Sequence, residues 1–360
     1  MDFALSEEQR MLQNSVSGYL ASSCPLEVVR AAAEQGITHD PGIAAGLVEL
    51  GVPGILISED YGGVGLGMLE AALIAEALGQ VAAPVAFTAS SVMAPVALAM
   101  AGSDAQRDAW LPQIAAGECV VGVGLTEQVG QREGDGLRAA AGGLSGSAMF
   151  VMEAADAQLL ILADDAGALY LVEAASAQCT PLKTIDRTRS VAEVVLENAP
   201  AELLPGSAES DHALRSALDA GRIMLAADTL GAAQKMLDAA VAYAKERKQF
   251  DRVIGSFQAV KHMCAEMAAE LEPCRALVWY AAHAMVHIPE EARLMACHTK
   301  AHLAETGRFV ARTATEVHGG MGMTDLLGLH YWFKRIGFDR QLLGAPELVR
   351  EEAARVQGWI

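Results

Sequence analysis

The chain is short of aromatic residues, 5% of 360, and short of positive charge, with 26 Lys and Arg against 45 Asp and Glu and a formal net charge of −19. With so few rings, a core drawn from 52% hydrophobic residues must be aliphatic and Ala-rich, the material of closely packed helices. The acid excess disfavours nucleic acid and anionic membrane surfaces as partners, and a polyanionic ligand would need local positive charge. No run of 18 apolar residues escapes polar interruption, which excludes an obvious membrane-spanning helix. Six cysteines (Cys24, Cys119, Cys179, Cys264, Cys274, Cys297) lack C-x-x-C spacing, which argues against a zinc site or a disulfide frame and for reduced thiols. The opening MDFALSEEQ is acidic, unlike a basic secretion signal. The expectation is a cytoplasmic protein with neither nucleic acid nor membrane as partner.

The length suggests two or three domains, and the pattern along the chain divides it. Ser6-Glu7-Glu8-Gln9 has the form of an N-cap with an acidic first turn. The segments 68–78 and 90–101 are rich in Ala, Leu and Met and suit buried helices, with a Gly-rich loop, 61–67, before them. From Cys119 the pattern changes to short apolar runs between turn residues: 119–125, 142–152, 158–163, 169–172 and 191–196. Long helical patterns return at 213–246, 257–285, 290–316 and 346–357. The predicted organisation is a helical domain over 1–118, a β domain over 119–207 and a helical bundle over 208–360.

Two motifs carry chemical information. In YAKERKQFDRVIGSFQ, 243–258, Arg247, Gln249, Phe250 and Gln258 stand around a break between helices. An arginine with two amides and an aromatic ring suits a phosphate and an adenine-like base; the same residues also suit a solvated helix end. In Val317-His318-Gly319-Gly320-Met321-Gly322, three glycines in four residues let a ligand approach the backbone.

In this order, the two motifs resemble those of the acyl-CoA dehydrogenase family, flavoenzymes that desaturate acyl-CoA thioesters between the α and β carbons. Phe3-x-Leu5-Ser6-x-Glu8-Gln9, Glu59-Asp60-Tyr61-Gly62-Gly63, Glu76-Ala77-Leu78-Gly79, Ala115-Ala116-Gly117-Glu118, Leu329-His330-Tyr331 and Lys334-Arg335 extend the match from end to end. The resemblance implies a mainly α fold with a central β domain: N-terminal helices, a small β barrel or sandwich, and a C-terminal four-helix bundle. It also implies FAD held across a subunit boundary, a dimer-of-dimers tetramer, and electrons passed to an electron-transfer flavoprotein. Arg247, Gln249, Phe250, Gln258, Gly319, Gly320 and Gly322 would then serve a flavin whose ring lies in the neighbouring subunit. Leu125, Thr126 and Phe150 would lie on this chain's own ring side.

That ring side departs from the family. After Thr126-Glu127, Gln128 replaces a proline, and Gly130-Gln131-Arg132 stands where Gly-Ser-Asp is usual. Phe150 takes the place of a tryptophan. Met152 takes that of a threonine and cannot donate the hydroxyl hydrogen bond. The chemistry needs a carboxylate to remove the α proton, yet two family positions for that base fall on Leu343 and Gly221. A third location, Ala226-Ala227-Asp228-Thr229-Leu230-Gly231, leaves Asp228 as the candidate. Aspartate is out of place in a helical apolar run unless paired or functional, and it reaches about 1.5 Å less far than glutamate, one C–C bond. It is either the base, or a residue that faces solvent or pairs with Arg222 or Lys235 nearby.

His283, His287, His298 and His302 are spaced four apart in pairs but lack a metal motif. The resulting expectation is an FAD-dependent acyl-CoA dehydrogenase subunit. The alternative is a non-catalytic subunit that completes a partner's FAD site within an α2β2 heterotetramer. Such heteromers act on steroid side-chain or dicarboxylyl thioesters, and the other assembly to weigh is a homotetramer.

Overall fold

The computed structural model describes residues 4–130, 136–140 and 143–360. Phe3 of the opening motif, and Gln131 and Arg132 of the altered ring-side segment, lie outside the described residues, as does the side chain of Thr126.

Six helices come first: α1 (Glu7–Ser23), α2 (Leu26–Gln35), α3 (Pro41–Glu49), α4 (Met68–Val81), α5 (Ala94–Ala101) and α6 (Asp104–Ala115). Their starts are written locally. Ser6 and Gln9 form a reciprocal capping box on α1, and Asp40 accepts from Gly42 and Ile43 N–H ahead of Pro41 at the start of α3. The predicted helix over 90–101 begins instead as a wide π turn, Thr88–Met93, wholly buried, before α5. The buried carboxylate of Glu153 accepts the N–H groups of Phe87 at 3.0 Å and Ser90 at 2.7 Å, so the β domain caps this turn.

Strands β1 (Val121–Gly124), β2 (Gly136–Ala140), β3 (Gly143–Met152), β4 (Leu159–Ala163), β5 (Leu169–Glu173), β6 (Gln178–Pro181), β7 (Val191–Ala199) and β8 (Glu202–Leu203) form one sheet. Its order is β6-β7-β3-β1-β4-β5-β8, with β2 paired to β3. The β1–β4 pair is parallel and the others are antiparallel. The register of β3 against β7 shifts between Ala148 and Val151. There Phe150 adopts φ +53°, a bulge that re-aims its side chain.

The remaining helices are α7 (His212–Glu246), α8 (Gln258–His287), α9 (Pro289–His318), α10 (Leu329–Asp339) and α11 (Pro346–Val356). A two-strand hairpin, β9 (Lys248–Gln249) and β10 (Arg252–Val253), separates α7 from α8. Sequence reading anticipates α7, α8, α9 and α11; α10 is an addition. Helix α7 is the spine, buried almost continuously from Ala217 to Ala233, with α4, α8, α9 and α10 against it. It crosses α4 backbone to backbone: a Cβ on Gly231 would strike the Glu76 carbonyl, and one on Gly79 would strike that of Asp228. Glu76, buried beside this crossing, is paired with Arg275 of α8. Among the described residues no helix is long and apolar enough to cross a membrane.

Gly231→Ala should therefore force α4 from α7 and cost about 1–3 kcal/mol, the usual penalty of overpacking. Urea unfolding measures it, and an unchanged midpoint would show that the crossing has slack.

Candidate active site

The two motifs meet at one end of the bundle. Tyr243, near the end of α7, stacks on His318, the last residue of α9, with ring centroids 4.6 Å apart. Nδ1 of His318 lies 2.7 Å from the Ala314 carbonyl, and burial lowers its pKa. Beyond Tyr243 the chain turns through β9 and β10. The tip residues Phe250 and Asp251 both have positive φ, +52° and +60°. That is a tight two-residue hairpin turn built without glycine. It holds Phe250 87% exposed, while Arg252 stacks its guanidinium 3.9 Å from the Phe257 ring. Arg247, Gln249 and Gln258 are also exposed. Beyond His318, Gly319 has φ +60°, and neither Gly319 nor Gly320 has any neighbour within 4 Å of a Cβ position, so their backbone is open to a ligand. Gly322 is different: it is buried, and its Cβ would press on the Thr315 carbonyl.

Asp228 lies elsewhere, 3% exposed and surrounded by cations. Arg335 of α10 grips it with two hydrogen bonds, Nε to Oδ1 and Nη2 to Oδ2, both 2.8 Å. Arg189, from the loop before β7, brings Nη2 within 2.8 Å of Oδ2 and Nε within 2.9 Å of Asp339 Oδ1. These contacts are ion pairs by distance, with N–H directions poorly aligned for hydrogen bonds. Burial alone would raise the Asp228 carboxyl, but Arg189 and Arg335 outweigh it and hold the group well below the carboxylate range. Asp339, buried beside it, is pushed well up. The partners are neither Arg222 nor Lys235. A carboxylate with both oxygens engaged and its basicity suppressed is poorly suited to take a proton from carbon, so the geometry runs against Asp228 as a base.

The two other base positions converge in space. A Cβ on Gly221 would lie 2.6 Å from Leu343 Cδ1 and 2.6 Å from Met93 Sδ. Leu343 is buried with φ +55°. Met93, Leu125, Met152, Leu225, Phe338 and Leu343 belong to one apolar cluster, and Met152 is only 2% exposed. Sequence reading had no signal for Met93, which the π turn delivers to this point. Under Leu343, Arg222 donates from Nε to its carbonyl at 3.0 Å, and Lys300 donates from Nζ to the carbonyls of Asp339, Arg340 and Gly344 at 2.7, 3.1 and 3.3 Å. Burial lowers the pKa of Lys300 to about 7. Among the described residues no group of three or more His, Cys, Asp or Glu could hold a metal ion, the four spaced histidines included.

Comparison with known proteins places this arrangement. Residues 6–118 match the model of the acyl-CoA dehydrogenase N-terminal domain, and residues 212–357 that of its C-terminal domain. The acyl-CoA dehydrogenase IpdE2 of Mycobacterium tuberculosis is 31% identical over 346 residues, covering 95% of each chain. The chain belongs to the acyl-CoA dehydrogenase family. IpdE2 of Mycolicibacterium smegmatis is 29% identical over 357 residues, 99% of this chain and all of that one. One chain of the crystal structure of the ChsE4–ChsE5 complex from Mycobacterium tuberculosis superposes with TM-score 0.91 at 26% identity, over 100% of this chain and 100% of that one. A variant of the Tcur3481–Tcur3483 steroid ACAD superposes with TM-score 0.87 at 27% identity over 98% of each chain.

The family binds FAD, and the residues here fit half of it. The exposed Arg247, amide side chains and open glycine backbone suit a pyrophosphate. On the ring side, the buried Leu125 and Met152 offer no side-chain donor to a flavin edge, and Met93 and Leu343 fill the space beside Gly221. That half does not fit.

Asp228→Asn should destabilise the fold by about 3–5 kcal/mol at neutral pH, because two buried arginines lose their anion. The folded pKa lies below the unfolded value of about 3.9, so this stability is fully present above about pH 5 and lost as pH falls through the acid range. Denaturant titrations of both forms should therefore converge at low pH; a constant gap would place the stabilisation elsewhere.

Proposed function

We propose that this chain is the supporting subunit of a heteromeric acyl-CoA dehydrogenase. It lends Arg247, Gln249, Phe250, Gln258 and the Gly319–Gly320 backbone to a flavin seated in a partner subunit, and performs no proton abstraction itself. The observation that carries this reading is the meeting of Gly221, Leu343 and Met93. The two family positions for a base adjoin one another, neither holds a carboxylate, and side chains fill the gap. Asp228 we read as a structural anion. The likeness to chains of the ChsE4–ChsE5 complex and the Tcur3481–Tcur3483 steroid ACAD supports a heteromer working on a bulky acyl-CoA thioester, with electrons leaving through an electron-transfer flavoprotein.

When bound, FAD accepts the β hydride of the thioester. Under this reading, Arg247 neutralises the pyrophosphate charge from outside the partner's ring pocket, and the strained hairpin offers Phe250 as a flat apolar surface.

Purified alone, the chain should carry far less than one flavin per subunit and show no flavin bleaching with acyl-CoA. One tightly held FAD per chain, reduced by substrate, would sink the proposal. In the assembled heteromer, Arg247→Ala should release flavin by weakening a charge-assisted contact of about 1.5–3 kcal/mol. Full retention would leave Arg247 as an ordinary surface residue.

A further inference from the structure

The wide π turn Thr88–Met93 is held from outside itself. Pro95, at the start of α5, brings no N–H with which to tighten it. Two distant side chains grip the stretch instead. His39, half-buried ahead of α3, accepts the Ala86 N–H on Nδ1 at 3.1 Å. The buried carboxylate of Glu153 accepts the N–H groups of Phe87 at 3.0 Å and Ser90 at 2.7 Å. Both acceptors work only without a proton. An Nδ1 that carries a proton cannot accept an N–H, and a neutral carboxyl loses the charge-assisted part of its bonds. Two small voids touch the same stretch. One of about 40 Å³ is lined by His39, Phe87, Ser90, Ser91 and Cys119 among others, and one of about 10 Å³ by Val85, Ala86, Glu153, Asp156 and Arg189 among others. The gripped segment therefore has unfilled space beside it. At its far end Met93 closes the gap at Gly221, where a Cβ would lie 2.6 Å from Sδ.

We infer that the π turn is closed by a proton-operated latch: His39 and Glu153 hold the N–H groups of Ala86, Phe87 and Ser90 in their unprotonated forms, and proton uptake by either one loosens the turn and withdraws Met93 from Gly221. Both groups act in the same direction. Burial raises the Glu153 carboxyl, while the N–H groups of Ser90, Ala89 and Phe87 and the charge of Arg189 lower it. Burial is common to the gripped and the loosened turn, whereas the N–H groups act only while the turn is gripped. The gripped carboxyl is thus the stronger acid, and falling pH favours release. Burial lowers the His39 imidazole, with Asp156 and Asp40 pulling it up. The neutral ring that burial favours is also the form that accepts from Ala86, so its protonation in acid removes that bond. The two groups approach the same mildly acid range, the imidazole from above and the carboxyl from below. Few other charges face them. On the His39 side only the Cys119 thiol joins Asp40 and Asp156 around the void. Among the strands packed beside Glu153, β1 has no charged residue, β6 has only the Cys179 thiol, and β7 has Glu193, half-buried, and Glu197, exposed. The latch lies within one subunit and does not depend on the flavin reading.

The test is methyl NMR of the full chain labelled with [13C-methyl]methionine, with the Met93 signal assigned through Met93→Leu. The pH runs from about 8 to about 5, the span in which an imidazole and a raised carboxyl titrate. A second Met93 signal should grow as pH falls below about 6.5. Met236 and Met267, buried in a different apolar cluster, should not move. Glu153→Gln removes the anion at nearly constant size and should show the second signal already at about pH 8. His39→Asn keeps an acceptor near the place of Nδ1 but does not titrate, and should cut the second population at about pH 6 at least ~threefold. Circular dichroism checks that each variant is folded. If Glu153→Gln is not, the wild-type titration and His39→Asn decide. Any of three results would overturn the inference: a single unmoved Met93 signal throughout, buried methionines of both clusters shifting together as in general acid loosening, or a transition left unchanged by His39→Asn.

Discussion

The grip of Arg335 on Asp228 is the constraint on which the rest of the arrangement depends. Arg335 also donates from Nη1 to the Ala83 carbonyl at 3.0 Å and to the Thr188 hydroxyl at 2.9 Å. One guanidinium therefore joins α10 to α7, to the chain leaving α4, and to the loop before β7. Arg189 adds a second tie from that loop to α7 and α10. Burying two arginines and two aspartates is costly by itself. It is tolerated because the planar fork of Arg335 matches the carboxylate and its remaining donors find acceptors. The three layers of the fold are thus fastened at a point in the middle of α7, and the residue that looks out of place in an apolar run is the one that fastens them.

This explains where sequence reading succeeds and where it stops. Local rules find the Ser6 N-cap, the apolar runs of β1, β3, β4, β5 and β7, and the long helices of the bundle, because each is encoded by neighbours in the chain. The break after α7 and the glycine loop are also found, though not the hairpin that forms the break, and the Tyr243–His318 stack brings the two stretches together. The misses are non-local. Asp228 suggests a nearby partner such as Arg222 or Lys235, while its actual partner Arg335 lies 107 residues away and Arg189 belongs to another layer. The Leu329–Asp339 helix is short and mixes aromatic with charged residues, and its meaning comes from Arg335, and from Trp332 Nε1 reaching the Gln80 carbonyl, rather than from a periodic face. The π turn depends on Glu153, a residue of the following domain, and no local pattern announces it.

The turn that carries Leu343 separates scaffold from chemistry. A leucine at φ +55° is strained by about 1–2 kcal/mol, and nothing in its own side chain requires that conformation. What holds it lies beneath. Nζ of Lys300 meets three carbonyls at the end of α10 and in the turn, and Arg222, itself paired with Glu352 at 2.7 Å, takes the carbonyl of Leu343. The frame that would aim a residue at position 343 toward Gly221 is complete in this chain. The residue it aims is apolar, and Met93 closes the same gap from the other side.

Fixing backbone and supplying chemistry are therefore separable tasks here. The frame rests on buried cations and carbonyls, groups that a change of side chain at 343 does not touch. A carboxylate at that place would need space, a means of remaining poised near neutral pH, and a ring opposite it. Leu343 removes the first two, and Met152 and Leu125, both buried and apolar, add no side-chain donor on the ring side. Each substitution is compatible with a well-packed interior, since apolar groups in close contact are what such a core tolerates best. The same packing is incompatible with an acid–base centre, which requires a polar group with a proton to exchange and room for the atom that exchanges it. Arg247, Phe250 and the Gly319 backbone sit on the surface, outside that packing, and so are untouched by whatever fills the interior.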